Sequence, residues 1–311
     1  MLKCLFTCPK CTRWHLVFLA VVCFFNTTIW TNSTSAFIED NPPPTLTWIV
    51  YEQAPYFVRN GKLKNQGIGD ILLEHYFAAL PNFKHQKFYA NLNRYALATQ
   101  RANICVPLAW SQKEEAHLLH SRPHGIEPPM GLLSASTTQI PKTAENTFSL
   151  AHIMANSNFR LLAFKTFPYG LETMRVLNTF ENTDRILYQS SEQLEVNVRL
   201  ITRGRADIAL ALPARMADLD ARGRGQDFHF HQIEEIKNYV RLMTHCSNDQ
   251  IGQQAMKIIN QTLTDEFLEL FSKHYFRWYH DNEAFEKLFH RYIINREDVP
   301  NVGDSFDQPQ H

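Results

Sequence analysis

Residues 45–70 read TLTWIVYEQAPYFVRNGKLKNQGIGD, and this stretch decides the fold. Its first seven residues are mostly β-branched or aromatic, which is typical of a strand. The following Ala54–Phe57 segment predicts a loop, and Asn60-Gly61 is a turn signal. Gly69-Asp70 then opens an amphipathic helix that Pro81 ends. A strand, a loop and a helix in this order predict the start of an α/β lobe whose loop faces a cleft.

Strands and helices continue to alternate along the chain, which favours parallel βαβ packing. Further strands are predicted at residues 83–89, 103–110, 159–164, 186–188, 205–210 and 239–244. Further helices are predicted at residues 93–100, 111–119, 169–177, 190–204, 251–260, 265–276 and 282–292. Residues 121–141 are rich in Pro, Gly and Ser, which is typical of a connecting segment.

Length and charge narrow the class of protein. The chain has 311 residues, enough for two domains or one large α/β domain, and 31 basic residues balance 31 acidic ones. A balanced charge gives no electrostatic basis for binding nucleic acid. A hydrophobic fraction of 44% supports ordinary cores.

The N-terminal residues 1–36 have the pattern of a secretory signal peptide. Three basic residues and no acidic residue precede a short apolar run at Trp14–Phe25, and Thr34-Ser35-Ala36 supplies small residues for cleavage. An uncleaved anchor is the alternative, although the run is shorter than the roughly 20 residues that span a bilayer. Without this segment the chain has 28 basic and 31 acidic residues and a net charge of −3.

Two cysteines, Cys105 and Cys246, remain after residues 1–36 are removed. In an oxidising compartment they can form a disulfide. Each can equally be a small buried apolar residue, so both interpretations stay open.

Two motifs resemble those of family 3 periplasmic solute-binding proteins, the amino-acid-binding type with the type II periplasmic-binding-protein fold. Ala54–Phe57, followed by Gly61, Gly67 and Asp70, is similar to the family's "aPP(Y/F)F" loop and "dG…xGxxxD" turn. Gly204–Asp207 is similar to its "GraDa" turn. The alternative for the second motif is a generic helix C-cap before a buried strand.

The resemblance implies an α/β fold with two lobes, a hinge and an interlobe cleft. It places a linker at residues 37–44, lobe 1 at 45–122 plus 242–292, lobe 2 at 123–241 and a flexible tail at 293–311. It also implies a monomeric periplasmic protein that binds a small polar molecule for an ABC permease or a membrane sensor. No enzymatic activity, cofactor, metal or nucleic acid is expected. The alternatives are an interaction or sensory module that has lost its ligand, and a cell-wall-directed enzyme.

The candidate ligand-binding residues lie where strands end or a helix begins, because ligands of open α/β sheets gather at the carboxyl ends of strands. The aromatic candidates are cleft walls, with core packing as the alternative. The serines precede a predicted helix and can hold an anionic oxygen or simply cap that helix. The candidates are Tyr51, Tyr56, Phe57, Trp110, Ser190 and Ser191.

The charged residues depart from the amino-acid-binding pattern. The family's "TxxR" arginine, which grips the ligand carboxylate, is replaced by Glu114. Its second-lobe aspartate, which receives the ligand ammonium, has no equivalent in Leu210–Pro213. An ordinary α-amino acid is therefore not the expected ligand. Cationic substitutes are available at Arg94, Lys113 and Arg215.

His229 and His231 alternate on a possible strand and share one face with Asp227. This spacing is compatible with a metal site. A solvated strand face is the interpretation that the pattern favours.

Overall fold

Six strands form a first sheet in the computed structural model, which describes residues 42–51, 53–110, 117–165, 167, 169–189, 194–237, 239–279 and 283–297. The strands are β1 (Thr45–Tyr51), β2 (Lys84–Ala90), β3 (Ile104–Trp110), β4 (Leu118–His120), β5 (Gly125–Glu127) and β11 (Val240–Ser247). Their order is β2-β1-β3-β11-β4, and β5 also pairs with β11. β1 runs parallel to β2 and β3, whereas β11 runs antiparallel to β3. We call the part of the chain built on this sheet the first lobe.

Five strands form a second sheet, on which the second lobe is built. They are β6 (Gly131–Ala135), β7 (Leu161–Phe164), β8 (Ile186–Gln189), β9 (Ile208–Ala211) and β10 (Phe228–Gln232). Their order is β10-β6-β9-β7-β8. β7 runs parallel to β8 and β9, and β6 runs antiparallel to β9 and β10. The parallel core follows from the βαβ alternation of the sequence.

Helices cover both sheets. They are α1 (Ile68–Ala79), α2 (Leu92–Ala98), α3 (Leu150–Asn156), α4 (Leu171–Phe180), α5 (Leu194–Thr202), α6 (Ala214–Ala221), α7 (Gln250–Thr262), α8 (Asp265–Phe276) and α9 (Glu283–Phe289), with a short 3₁₀ turn at Gly225–Asp227 and a π-helical turn at His290–Ile294. In the ranges that the structure describes, none of them has the length and apolar character that a membrane crossing requires.

Specific side chains fix where the C-terminal helices begin. The Asp249 carboxylate accepts a hydrogen bond from Gly252 N at 2.8 Å and caps α7, and the Thr264 hydroxyl accepts one from Phe267 N at 3.1 Å and caps α8. Asp249 also accepts from Asn103 N at 2.8 Å, which ties the start of α7 to the turn before β3. These caps hold the last helices against the first sheet.

The chain passes between the sheets twice, at residues 128–130 and between the end of β10 and the start of β11. Gly131 is the first residue of β6. A glycine is needed there, since a Cβ atom would lie 2.3 Å from the carbonyl oxygen of His231. Residues 125–127, which the sequence pattern placed in lobe 2, form β5 and pair with β11 of the first sheet. The two lobes are thus joined by a pair of connections that run side by side from β5 and β11.

Cys105 and Cys246 form a disulfide between β3 and β11. The two residues are directly opposite each other in the antiparallel ladder, and both are fully buried. The structure therefore selects one of the two interpretations that the sequence left open. The bond connects positions 141 residues apart in sequence and fastens the returning strand to the core of the first sheet.

Several predicted elements need correction. Leu118 and Leu119, predicted at the end of a helix, form β4, because they pair with Ser247 and Cys246 at the edge of the sheet. The strand predicted from Arg205 begins only at Ile208. The structure also forms β5, β6, α3 and α6, which the sequence pattern did not indicate. The predicted signal peptide lies outside the described residues, as does the tail beyond residue 297.

Candidate functional site

The carboxyl ends of parallel strands lie at one edge of each sheet. In the first lobe β1 ends at Tyr51 and β3 ends at Trp110, and both side chains are half-buried. In the second lobe β7 and β9 end before Phe167 and Arg215, respectively. This edge is where open α/β sheets bind ligands. The residues that follow these four strands are therefore the candidates for a ligand site.

The Ala54–Phe57 loop is fastened to the start of α1. Ile68 N donates to the carbonyl oxygen of Pro55 at 2.9 Å, and Gly69 N donates to that of Tyr56 at 2.7 Å. Gly67 permits this approach, since a Cβ atom there would lie 2.4 Å from the Tyr56 oxygen. The first amide groups of α1 thus donate to carbonyl groups of the loop. These amides are not available to bind an anion at the helix N-terminus.

Asp70 completes the attachment of this loop. Its carboxylate accepts hydrogen bonds from Val58 N at 2.9 Å and from Gly67 N at 3.2 Å. Burial raises the pKa of Asp70, although both amide donors act to lower it. The Gly67 and Asp70 positions of the sequence motif therefore act structurally, by fixing the loop on α1.

Phe57 is placed in the core rather than at the strand edge. Its ring packs against Gly69, where an added Cβ atom would lie 2.3 Å from the ring, and Leu108 lies beside it. The side chain is buried. Its location agrees with the core-packing alternative, and a role for Phe57 as a cleft wall stays a prediction.

Tyr56 belongs to a buried cluster around Glu127. The Tyr56 hydroxyl donates to Glu127 Oε2 at 2.7 Å, and the Tyr279 hydroxyl lies 3.1 Å from both carboxylate oxygens. Glu127, at the end of β5, is only 1% exposed. Burial raises the pKa values of Tyr56 and Tyr279 well above the usual value, and the charge of Glu127 raises both further. Both phenols therefore remain protonated donors to the carboxylate.

Tyr275 supports this cluster from α8. Its hydroxyl donates to the carbonyl oxygen of Ile126 at 2.6 Å, and its ring stacks on Tyr279 with a centroid distance of 5.2 Å. The first crossing between the lobes is thereby anchored to the C-terminal helices through Ile126 and Glu127. The cluster joins the Pro55 loop, the crossing and α8 in one hydrogen-bonded unit.

Two contacts join the lobes directly. Trp110 of the first lobe meets Phe167 of the second edge-on, with ring centroids 5.0 Å apart. Arg215, on α6, donates from Nη1 to the carbonyl oxygen of Ala54. Arg215 is buried, with 3% exposure. We call the residues on the two sides of these contacts the interlobe seam, defined as residues 53–56, Trp110, Phe167 and Arg215.

Gln53, in the same seam, has an unsatisfied side chain. Its carbonyl oxygen accepts from the amides of Tyr56 and Phe57 at 2.9 and 3.0 Å. Its side chain is 6% exposed, and Nε2 has no hydrogen-bond partner in the described part of the chain. A buried amide donor without a partner is costly. It marks a position where an acceptor from a bound molecule would be favourable.

The other predicted site residues fall elsewhere. Ser190 and Ser191 lie outside the described residues, as do Lys113 and Glu114. Arg94 is exposed on α2. Of the two cationic substitutes among the described residues, Arg94 and Arg215, the structure brings Arg215 to the interlobe seam.

The His229 and His231 pair lies on β10, as the alternating pattern predicted. The His231 ring lies 3.1 Å from the Ser134 hydroxyl, and the two imidazole centroids are 6.2 Å apart. The Asp227 carboxylate pairs with Arg224 at 3.1 Å. Within the described residues, no three His, Cys, Asp or Glu side chains are arranged to hold a metal ion.

Sequence reasoning missed four residues of this region: Gln53, Glu127, Phe167 and Tyr279. Glu127 carried a recognisable signal, because it is an acidic residue in an otherwise uncharged stretch, HGIEPPMGLL. Phe167 and Tyr279 carried none, since an aromatic residue in a loop predicts core packing equally well. Their position depends on contacts between segments that are distant in sequence.

Solved structures of periplasmic binding proteins resemble this chain, whereas no protein-family model and no curated protein sequence matches it. The periplasmic VFT2 domain of BvgS from Bordetella pertussis superimposes with a TM-score of 0.53 at 11% identity, covering 76% of this chain and 94% of that domain. A mutant of ArgBP from T. maritima gives a TM-score of 0.55 at 12% identity, covering 77% and 96%.

A third structure is an arginine 3rd transport system periplasmic binding protein from Legionella pneumophila. It gives a TM-score of 0.53 at 16% identity and covers 76% of this chain and 99% of that one. Identities this low establish the fold alone. The chain has the two-lobed α/β fold of type II periplasmic binding proteins, in a form that diverges in sequence from family 3. The fold predicted from residues 45–70 is confirmed.

Proposed function

We propose that this chain is a solute-binding module that holds a small polar molecule at the interlobe seam. The observation that carries the proposal is the pair of contacts across the seam, Trp110 with Phe167 and Arg215 with Ala54. Both contacts join residues that follow the carboxyl ends of strands, one from each sheet. A hinged pair of lobes closes on a ligand at such an edge.

The groups at the seam favour a ligand with acceptor oxygens. Gln53 Nε2 is a buried donor that lacks an acceptor among the described residues, and the Arg215 guanidinium lies against the neighbouring residue Ala54. A ligand carboxylate or carbonyl can satisfy the first donor and compete with Ala54 for the second. The rings of Trp110 and Phe167 suit an apolar part of the same molecule.

An ordinary α-amino acid fits this chemistry poorly. The position at which the family carries an arginine is Glu114, and Leu210–Pro213 contains no acidic residue for an ammonium group. Arg215 instead brings a cation from the second lobe. We therefore expect an organic acid, a carbonyl compound or a similar acceptor-rich solute. We expect residues 1–36 to direct export of the module to the periplasm. There it would deliver its ligand to an ABC permease or signal to a membrane sensor.

A second candidate is a sensory or interaction module without a small ligand. The observation that favours it is that Arg215 already donates to Ala54, so the lobes contact each other through their own groups. We propose a binding role rather than catalysis in both cases, in keeping with the binding proteins and the BvgS VFT2 domain that share the fold.

A thermal-shift screen of the exported protein separates these candidates. The compounds are organic acids, amino acids, dipeptides and polyamines. A ligand at a hundredfold excess over its dissociation constant stabilises the protein by about 2.7 kcal/mol. We expect an organic acid or another acceptor-rich compound to raise the melting temperature, and we expect Trp110→Ala and Arg215→Gln to remove this effect.

Tyr89→Ala and Arg175→Gln are matched controls for these variants. Tyr89 is exposed on β2, and Arg175 is exposed on α4 and paired with Glu172. Both controls should retain the ligand-induced shift. If no compound stabilises the protein, the ligand-free module is favoured. A shift that survives both Trp110→Ala and Arg215→Gln would place the ligand away from the seam.

A further inference from the structure

A groove of about 300 Å³ lies between α5 and α6 of the second lobe. None of its lining residues belongs to the interlobe seam, so a ligand bound in the groove is independent of the proposed function. The groove is lined by Leu194, Glu195, Val198, Arg199, Thr202, Arg203, Leu219, Arg222 and Arg224. A volume of this size is at the lower end of the range for sites that hold small organic ligands.

The floor of the groove is apolar and firmly packed. Leu194, Val198 and Leu219 are buried and belong to one hydrophobic cluster with β7 and β9 of the second sheet. These side chains are fixed by the sheet beneath them. They offer a preformed surface for the apolar part of a ligand.

Two of the four arginines that line the groove form ion pairs with acidic residues. Arg222 pairs with Asp218 of α6 at 2.8 Å and with Glu195 of α5 at 2.6 Å, so it connects the two helices. Arg224 pairs with Asp227 at 3.1 Å. Arg222 and Arg224 therefore each have an acidic partner, and Arg222 links the two helices that flank the groove.

The other two arginines, Arg199 and Arg203, are exposed and have no acidic partner in the part of the chain that the structure describes. They are four residues apart, at and just beyond the last turn of α5, and therefore lie on one side of it. Like charges at this spacing repel each other. A bound anion would remove the repulsion and can accept hydrogen bonds from both guanidinium groups.

We propose that this groove binds a small organic anion with an apolar body, such as an aromatic sulfonate or a medium-chain carboxylate. The apolar body rests on Leu194, Val198 and Leu219, and the anionic group pairs with Arg199 and Arg203. The groove thus gives the second lobe a ligand site separate from the interlobe seam.

A fluorescence titration with 8-anilinonaphthalene-1-sulfonate tests this site in the full-length protein. We expect saturable binding that added salt weakens and that octanoate displaces. The double variant Arg199→Gln/Arg203→Gln should raise the dissociation constant about tenfold or more. Because both side chains are exposed and lack an acidic partner among the described residues, its melting temperature should change little.

The matched control is Arg175→Gln/Lys257→Gln, which also removes two positive charges from exposed helix positions. Its dissociation constant should stay within about twofold of the native value. The proposal would be overturned if the Arg199→Gln/Arg203→Gln variant bound the probe with the same dissociation constant as the native protein. It would also be overturned if the control variant lost as much affinity for the probe as this double variant does. It is also wrong if a peptide of alternating Glu and Leu displaces the probe and octanoate does not, because the occupant would then be a protein segment.

Discussion

Glu127 shows how a single buried charge organises the region between the lobes. Its carboxylate lies within hydrogen-bond distance of the hydroxyl groups of Tyr56 and Tyr279, from two distant segments of the chain. A buried carboxylate needs such donors because its desolvation is costly. Tyr56 entered the sequence interpretation as a wall for the ligand. In the structure its hydroxyl donates a hydrogen bond to Glu127, and this hydrogen bond positions the Pro55 loop.

Replacing Tyr279 with Phe tests the importance of this cluster. The variant removes one donor from a carboxylate that is 1% exposed. We expect the free energy of unfolding to fall by about 1–3 kcal/mol, measured by urea denaturation. Tyr89→Phe is the control, since Tyr89 lies at the surface, and should change stability by less than about 0.5 kcal/mol. Equal effects of the two substitutions would show that the Glu127 cluster contributes nothing.

Two histidines in the first lobe make stability depend on pH. Burial lowers the pKa of His124 and of His245 to about 3, and the nearby His120 and His124 lower that of His245 further. The rings of His120 and His245 stack with a centroid distance of 4.2 Å. Unfolding returns each ring to an ordinary pKa of 6.5. Below that value the unfolded chain binds more protons than the folded one, so stability falls as the pH falls.

Between pH 7 and pH 5 each of these histidines should lower the unfolding free energy by about 2 kcal/mol. Urea denaturation at both pH values measures the change, and His245→Gln should reduce it by about 2 kcal/mol. His274→Gln, on α8, is the control and should leave the pH dependence unaltered. An unchanged pH dependence in His245→Gln would contradict the assignment.

At the scale of elements, the disulfide between β3 and β11 connects the beginning and the end of the first lobe. The chain between the two cysteines contains the entire second lobe, a separation of 141 residues. Cross-linking so long a segment restricts the unfolded chain. The bond also suits an oxidising compartment, in keeping with the proposed export.

The double variant Cys105→Ala/Cys246→Ala should lose about 2–4 kcal/mol of stability. Dithiothreitol should lower the urea midpoint of the native protein and leave that of the variant unchanged. Titration of two free thiols in the unfolded, unreduced protein without residues 1–36 would show that the disulfide does not form.

The elements that the sequence predicted are those with strong local signals. α1 was predicted from Gly69-Asp70 and the apolar periodicity that follows, and α8 was predicted from its apolar periodicity. β4 and β5 were missed because each is short and depends on pairing with a distant strand, β11. Pairing between strands roughly a hundred residues or more apart leaves no local pattern in the sequence.

For the whole molecule, the order of motifs predicted the two-lobed fold better than any one residue predicted the site. Trp110 was identified from its place at the end of β3 and does reach the seam. Its partner Phe167 was not identified. A site between lobes is assembled from residues of two sheets. One stretch of sequence can therefore indicate only one of the two residues that make each contact. Arg215, considered only as a substitute cation, became central because α6 brings it against Ala54.

The central claim is that a small solute binds at the seam between the lobes. The most direct measurement is ¹⁹F NMR of the protein labelled with 5-fluorotryptophan, titrated with a compound from the thermal-shift screen and assigned by Trp→Phe variants. Trp48 is fully buried in the first lobe and serves as an internal reference. We predict that the Trp110 resonance shifts with ligand while the Trp48 resonance does not. A ligand that leaves the Trp110 resonance unchanged would contradict the claim.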